Sequence, residues 1–199
     1  MTLFASIGGP FRAGKHPSGT RLLTRDTPVE RIWLVESGRV TLSRTTEGGA
    51  PHVCASRGGG AIIGLEGISG HAAQRDAVVV ADAELLSAPI SEVIEWLGEG
   101  APELLRLASE EHARGVAEGA LAAGDATVRT ARFLVARARD PLMAGWNGAR
   151  LWEVACLLNI RPETLSRALR ELEARGLIRD GRRPEIVDHT GIARLAGSH

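Results

Sequence analysis

The sequence predicts an α+β chain in which an antiparallel β-roll precedes a long helix and a helical C-terminal domain. Short apolar runs separated by glycine-rich turns fill residues 20–90, and helical periodicity follows. Residues 1–126 hold 11 Lys and Arg against 16 Asp and Glu, whereas residues 127–199 hold 13 Arg against 8 Asp and Glu. A basic C-terminal third on an acidic body is typical of a nucleic-acid-binding domain joined to another module.

Composition excludes several classes of protein. The chain has 199 residues, of which 44% are hydrophobic and 24% are charged, as in globular domains. No apolar run approaches the roughly 18 residues of a membrane span, and the N-terminus lacks the pattern of a secretory signal. Cys54 and Cys156 are too few for a disulfide framework. We therefore expect a cytoplasmic protein without a membrane partner.

The N-terminal strands are short and end at turns rich in glycine, at residues 36–38, 47–49 and 58–60. This spacing predicts an antiparallel barrel or double-sheet roll. The predicted strands are Ile32–Val35, Val40–Ser43, His52–Ala55, Ile62–Ile63 and Ala77–Ala81.

The helical part begins with a short helix at Ser91–Leu97, followed by a longer helix at Pro102–Ala123. Proline suits the first turn of a helix, so Pro102 marks the start of the longer one. Gly124 fits its C-terminal end and Asp125 the N-cap of the next helix, Ala126–Arg139. Gly124 and Asp125 thus form the predicted hinge.

The longer helix carries small residues at alternating three- and four-residue spacing. They predict either close packing on the roll of the same chain or a two-fold helix pair that brings two copies together. The row comprises Leu105, Ala108, His112, Gly115, Gly119 and Ala122.

Residues 151–187 predict a winged helix-turn-helix. A short helix with an apolar face ends at Asn159, which tolerates a left-handed turn, and Pro162 opens a second helix. Gly176 ends that helix, and a hairpin at residues 177–187 forms a wing. A solvated pair of amphipathic helices would not explain the turn, the wing and the basic charge together.

The outward face of the second helix has the chemistry needed to contact DNA. Arginine can donate to guanine and glutamate can accept from cytosine, whereas other contacts fix the register on the backbone. The predicted base-contacting residues are Glu163, Ser166 and Arg167. The predicted backbone-contacting residues are Thr164, Arg170, Arg179, Arg182 and Arg183.

The segment Glu163–Arg167 and the residues after it resemble the recognition helix of the Crp/Fnr family of bacterial transcription regulators. Trp33–Val40 is similar to that family's first roll strands, Gly60–Glu66 to its glycine-rich turn, and Asp125–Arg129 to its hinge. The resemblance covers about residues 20–195, which is nearly the whole chain.

The resemblance implies a regulator that acts as a homodimer on double-stranded DNA, with RNA polymerase as a candidate further partner. Residues 1–100 would form a cyclic-nucleotide-binding-like sensor, 101–124 a dimerisation helix and 125–199 the DNA-binding domain. The Glu163, Ser166 and Arg167 set implies TTGA-like half-sites in inverted repeat. Pro162 replaces a base-contacting arginine of CRP-type members, which argues against TGTGA half-sites.

The effector pocket implied by the resemblance lacks two groups that hold a cyclic nucleotide. Cyclic-nucleotide-binding members carry Gly-Glu and Arg-Ser, where this chain has Gly64-Leu65 and Arg75-Asp76. Leu65 cannot hydrogen-bond a ribose, and Asp76 would repel a phosphate. We expect little or no binding of cyclic AMP or cyclic GMP, and the effector stays unknown. The expected pocket residues are Gly64, Leu65, Glu66, Arg75, Asp76 and His112.

The sequence gives less support to other cofactors or to a redox role. An iron–sulfur cluster needs several cysteines, and Cys54 is the single one in the sensor half. A haem would need an axial ligand such as His16, His52, His71 or His112, although ordinary surface histidines explain them more simply. Cys54 could be a redox thiol, but a buried cysteine is the simpler interpretation.

A cupin-like metal-dependent enzyme or a small-ligand-binding module on the roll is the alternative class. The sequence has no His-x-His pair, nucleophile elbow, P-loop or HExxH motif. We therefore predict no catalytic and no metal-ligating residues.

Overall fold

The computed structural model of the chain describes residues 7–45, 51–121, 123–139, 143, 146, 148–179 and 184–197. Two compact units are present, residues 1–114 and 115–199. The first unit contains an antiparallel sheet and most of a long helix, and the second contains the remaining helices and a small hairpin. The predicted α+β fold class is confirmed.

In the described residues of the first unit, six strands form one antiparallel sheet. Strand β6 pairs with β1, β2 and β3, and strand β3 also pairs with β4 and β5. A short 3₁₀ helix at Leu65–Ser69 follows β5. The strands are β1 Arg12–His16, β2 Arg21–Leu23, β3 Arg31–Thr45, β4 Pro51–Arg57, β5 Ile62–Ile63 and β6 Asp76–Pro89.

The predicted turn at residues 36–38 is wrong, because β3 continues through it as one strand. The pairing register with β6 shifts between Val35 and Val40, which marks a β-bulge. Gly38 has φ +87°, and a Cβ there would lie 2.4 Å from the carbonyl oxygen of Asp82. The glycine therefore permits a bulge against a neighbouring strand, where the sequence suggested a chain reversal.

The sequence predicts strand β6 too short and does not predict strands β1 and β2. Strand β6 extends to Pro89 instead of ending at Ala81, and its second half pairs with β1, for which no strand is predicted. Strand β2 is also unpredicted. Exposed Asp82 and Glu84 break the apolar pattern of β6, so the sequence alone gives no signal for its continuation. The predicted turn at 47–49 lies outside the described residues.

The alternation of β3 divides the apolar residues of the first unit into two cores. Val35, with half-buried Trp33, packs in a cluster within the roll. Ile32 and Leu34 point to the other face and pack in a cluster with Val93 and other residues of the long helix. This two-residue period explains how one strand serves both cores.

The long helix α1, Ile90–Ala120, replaces the two helices predicted at Ser91–Leu97 and Pro102–Ala123. Pro102 lies inside it, although an internal proline costs a helix about 3 kcal/mol. Buried Val93 before the proline and buried Leu104 and Leu107 after it belong to one apolar cluster. Burial on both sides of Pro102 therefore stabilises a continuous helix.

The second unit contains a winged helix-turn-helix. Asp125 caps α2 as predicted, because its Oδ1 accepts a hydrogen bond from the Val128 amide at 2.9 Å. The last helix, α5, is unpredicted, and its N-cap is Asp188, whose Oδ1 accepts from the Thr190 and Gly191 amides. The elements are α2 Ala126–Arg139, α3 Leu151–Leu157, α4 Pro162–Ala174, β7 Ile178–Arg179, β8 Glu185–Ile186 and α5 His189–Leu195.

Candidate functional site

The connection between α3 and α4 is a tight turn, as predicted. Asn159 adopts φ +52°, and the Ile160 amide donates to the Ala155 carbonyl oxygen at 3.0 Å. Pro162 is the first residue of α4, where its missing N–H removes no helical hydrogen bond. Ala155 is fully buried, which allows the two helices to lie close together.

Helix α4 has one buried and one exposed face. The buried face carries Leu165, Ala168, Leu169 and Leu172, in agreement with the sequence pattern. Glu163, Arg167 and Arg170 are exposed, and Thr164 and Ser166 are half-buried. The structure thus brings the five predicted DNA-contacting residues of α4 together between Glu163 and Arg170.

The exposed face of α4 makes weak contacts within its own helix. Arg167 Nε donates to the Glu163 carbonyl oxygen at 3.5 Å, and Arg170 Nε donates to the Ser166 carbonyl oxygen at 3.4 Å. Ser166 Oγ donates to the Pro162 carbonyl oxygen at 3.0 Å. Among the described residues, no ion pair holds Glu163, Arg167 or Arg170. Their charged groups are therefore available to an external partner.

The wing is a two-stranded hairpin in which Arg179 lies opposite Glu185. The Arg179 side chain is exposed, as a contact to a phosphate requires. Arg182 and Arg183 lie outside the described residues. Arg137 Nη2 donates to the Pro184 carbonyl oxygen at 2.8 Å, which attaches the base of the wing to α2.

Helix α2 supports the helix-turn-helix through side chains to which the sequence reasoning gave no role. Thr127 Oγ1 donates to Glu171 Oε2 at 2.7 Å and so joins the first turn of α2 to α4. Arg129 Nη1 donates to the Leu158 carbonyl oxygen at 3.1 Å, next to the turn. Thr127 and Arg129, two polar residues in this first turn, were the available signal, because a purely packing helix would not need them.

The roll contains a small cavity of about 70 Å³. Four of the six predicted pocket residues line it, namely Gly64, Leu65, Glu66 and Arg75, with apolar side chains from β2, β3 and β5. Glu111 of α1 also lines the cavity and was not predicted. Small-molecule sites usually enclose about 300–1,000 Å³, so this cavity is smaller than such a site.

The other two predicted pocket residues are not in the lining of the cavity. Asp76 accepts hydrogen bonds from Arg21 Nη1 at 2.8 Å and from the Arg25 amide at 3.1 Å. His112 is exposed on α1. The carboxylate of Asp76 thus has partners within the roll.

An ion-pair cluster joins the roll to α1 beside the cavity. Arg57 is 1% exposed and donates to Glu111 Oε1 through Nε at 2.7 Å and Nη2 at 2.6 Å. Arg114 Nη2 donates to the Gly60 carbonyl oxygen at 3.1 Å, and its Nη1 lies 3.4 Å from Glu111 Oε2. The Glu111 carboxylate therefore lies between two guanidinium groups at the wall of the cavity.

The histidines of the described residues do not assemble a metal site. No group of three His, Cys, Asp or Glu side chains lies close enough to hold an ion in the part of the chain that the structure describes. His16 packs edge-on against Trp33, with ring centroids 5.3 Å apart. The side chains of His52 and Cys54 lie outside the described set.

Two family models match the chain, one over the roll and one over the helix-turn-helix. The model of the cyclic nucleotide-binding domain matches residues 14–99, and the model of the Crp-like helix-turn-helix domain matches residues 128–195. The chain belongs to the Crp/Fnr family of transcription regulators. Fold and family are thus those of transcription regulators and not of enzymes, which removes the cupin-like alternative.

Solved structures of Crp/Fnr regulators share the fold over nearly the whole chain. FixK2 from Bradyrhizobium japonicum has a TM-score of 0.77 at 20% identity, covering 95% of this chain and 98% of that chain. CooA from Carboxydothermus hydrogenoformans, solved as a mutant, has a TM-score of 0.75 at 20% identity, covering 94% and 88%. A CRP-family regulator from Thermus thermophilus has 0.71 at 23% identity, covering 93% and 97%. No curated protein sequence is significantly similar to the chain.

This Crp/Fnr regulator combines a helix-turn-helix for DNA with a roll of the cyclic nucleotide-binding type. Within the described residues, no helix has the length and the apolar character to cross a bilayer. Glu111, Arg57, Arg129 and Thr127 are the supporting residues that sequence reasoning missed. Glu111 could have been found, because it continues the row of Leu104 and Leu107 at helical spacing.

Proposed function

We propose that the chain acts as a homodimer that recognises inverted repeats of TTGA-like half-sites through Glu163, Ser166 and Arg167. The exposed face of α4 carries this proposal, because Glu163 and Arg167 lie one turn apart there without an ion-pair partner in the described residues. Arginine can donate to guanine O6 and N7, and glutamate can accept from cytosine N4. The TTGA assignment itself rests on the family resemblance of these three residues.

The remaining predicted contacts would fix the position of the protein on the duplex. Thr164 lies among the base-contacting residues of α4, Arg170 lies one turn beyond Ser166, and Arg179 is exposed on the wing. Arg182 and Arg183 follow Arg179 in the sequence and add positive charge. Phosphate contacts supply affinity that depends on salt but carry no sequence information.

Helix α1 supports the two-fold arrangement. Leu105 is 67% and Val116 is 60% exposed, and His112 and Gly119 between and after them are exposed as well. A Cβ at Gly115 or at Gly119 would meet nothing within 4 Å, so packing within the chain does not require these glycines. Apolar and small residues at three- and four-residue spacing are suited to a second copy of the helix.

Within this dimer, residues 1–100 would sense a signal, 101–124 would pair and 125–199 would bind DNA. We propose that the signal is not a cyclic nucleotide. Leu65 offers no hydrogen bond to a ribose, and the cavity of about 70 Å³ is smaller than an ordinary small-molecule site. RNA polymerase remains a proposed partner of the DNA-bound dimer.

Selection of bound sequences from random duplex DNA tests the proposal. We expect enrichment of inverted repeats with TTGA-like half-sites, and a mobility shift at moderate salt that corresponds to a dimer. Enrichment of direct repeats or of single half-sites would contradict the two-fold arrangement. The absence of any enrichment would contradict sequence-specific recognition.

A further inference from the structure

Two arginines of α2 span the connection between α1 and α2. The described part of this connection, residues 123–125, includes the predicted hinge at Gly124 and Asp125, and Gly124 has φ +92°. Arg129 and Arg132 lie on the first two turns of α2, and each donates to a different carbonyl of this hinge region. Each also donates to a different part of the DNA-binding fold.

Arg129 joins the hinge to the helix-turn-helix. Its Nε donates to the Gly124 carbonyl oxygen at 2.6 Å. Its Nη1 donates to the Leu158 carbonyl oxygen at 3.1 Å and lies 3.5 Å from that of Asn159. These two carbonyls belong to the turn that sets the angle between α3 and α4, so Arg129 bonds the hinge and that turn simultaneously.

Arg132 joins the hinge to the last helix. Its Nη1 donates to the Ala123 carbonyl oxygen at 2.7 Å, and its Nε donates to the Ala196 carbonyl oxygen at the end of α5 at 2.8 Å. A guanidinium group offers five donors in a rigid plane and can hold two acceptors in fixed geometry, which a lysine ammonium does less well. Both bridges therefore depend on arginine.

The final turns of α1 are held to the same unit from another side. Trp146 Nε1 donates to Glu118 Oε1 at 2.8 Å, and both residues are buried. Leu121, one residue past α1, is buried as well. The end of α1 is thus fixed by Glu118 and Leu121, and the hinge after it by the two arginines.

We propose that Arg129 and Arg132 are positioning residues that fix α4 relative to the end of α1 and thereby set the half-site spacing that the dimer accepts. The inference rests on the proposed function, in which two copies pair and bind an inverted repeat. One base pair of spacer moves a half-site by about 3.4 Å along the duplex and rotates it around the axis. A joint that cannot bend would reject such a change.

Fluorescence anisotropy on a series of duplexes tests the inference. The probes are the best inverted repeat selected by the wild-type protein, the same repeat with one or two base pairs added or removed between half-sites, and a single half-site. For the wild type we expect a loss of about tenfold or more for each change of one base pair. For Arg129→Ala/Arg132→Ala we expect less than about threefold variation across the series, with half-site affinity kept within about threefold.

Arg137→Ala is the matched control. It removes an arginine of the same helix whose guanidinium donates to the Pro184 carbonyl, outside the hinge. We expect it to keep the wild-type spacing profile. The inference is overturned if the double variant also keeps that profile, whether or not its affinity falls uniformly. If circular dichroism shows that the double alanine variant does not fold, the spacing series is measured with Arg129→Lys/Arg132→Lys instead. A flattened spacing profile then supports the inference, and a wild-type profile overturns it.

A measurement without DNA separates this inference from the proposed function. A wild-type protein that binds no inverted repeat would refute the proposed function. The role of the two arginines at the hinge would then be tested by amide hydrogen exchange, which needs no DNA. Amide exchange in residues 121–130 should be about tenfold faster in the double variant, with α4 still protected. Unchanged exchange in the hinge would overturn the inference on its own.

Discussion

Glu111 Oε1 accepts two hydrogen bonds from Arg57, at 2.7 Å from Nε and 2.6 Å from Nη2, and so links strand β4 to helix α1. Arg57 is almost completely removed from solvent, whereas Glu111 keeps about a fifth of its side-chain surface exposed. A buried guanidinium that loses a carboxylate partner keeps its desolvation cost and loses the attraction that offsets it. The ion pair thus holds the roll and the helix together at the wall of the sensor cavity.

Replacing Glu111 by Ala should lower the free energy of unfolding of the protein by about 3–5 kcal/mol, because the charge of Arg57 stays buried. The double variant Arg57→Met/Glu111→Leu should lose much less, since it removes both charges and keeps apolar volume. Urea denaturation followed by circular dichroism measures the difference.

The control for this experiment is Glu103→Ala. Glu103 pairs with Arg106 at the surface of α1, where such pairs contribute about 0–1 kcal/mol. Equal losses for the Glu103 and Glu111 variants would refute a special role for the buried pair.

Replacing Arg167 by Ala should cost about 1–3 kcal/mol per half-site and relax the base preference at one position. Replacing Arg182 or Arg183 should weaken binding to all sequences alike and reduce the salt dependence by about one unit per lost phosphate contact. Binding to matched and scrambled sites at several salt concentrations separates the two classes. A site preference that changes with Arg182→Ala but not with Arg167→Ala would reverse the assignment.

Replacing Gly119 by Leu should shift the protein from dimer to monomer in light scattering at micromolar concentration. Gly119 is exposed within the chain, so the leucine should disturb only the approach of a second helix. Glu99→Leu, which adds the same side chain on another side of α1, should remain dimeric. A wild-type protein that is monomeric with and without operator DNA would contradict the proposed dimer.

Calorimetric titration with cyclic AMP should give no measurable binding by the wild-type protein, and cyclic GMP should behave in the same way. The reasons are the apolar side chain of Leu65 and the small volume of the cavity, about 70 Å³. A dissociation constant in the micromolar range or tighter would show that Arg75 alone can recruit the phosphate.

The helix-turn-helix was predicted almost in full because its signals are local. Asn159 at the turn, Pro162 at the start of α4 and Gly176 at its end each restrict the backbone within a few residues. The apolar spacing of α4 then identifies its buried face without knowledge of what covers it. The exposed positions of Glu163 and Arg167 follow from the same period.

The roll and the long helix were predicted less well because their stability comes from residues distant in sequence. Strand β1 forms by pairing with residues 83–87 of β6, and no local sequence pattern predicts that pairing. Pro102 indicates a helix start when read alone, yet packing of Val93 and Leu107 in one core stabilises the helix across it. Non-local burial outweighs local propensity in both cases.

The sequence by itself determined the type of each domain, the cap of α2 at Asp125 and the exposed face of α4. The tertiary structure alone decided that Glu111 reaches Arg57 across 54 residues and that Arg129 and Arg132 reach the hinge and the DNA-binding fold together. The physical reason is the range of the interactions. Turn conformation and helical period are decided within a few residues. A buried charged group and its partner, which are distant in sequence, come together only when the chain has folded.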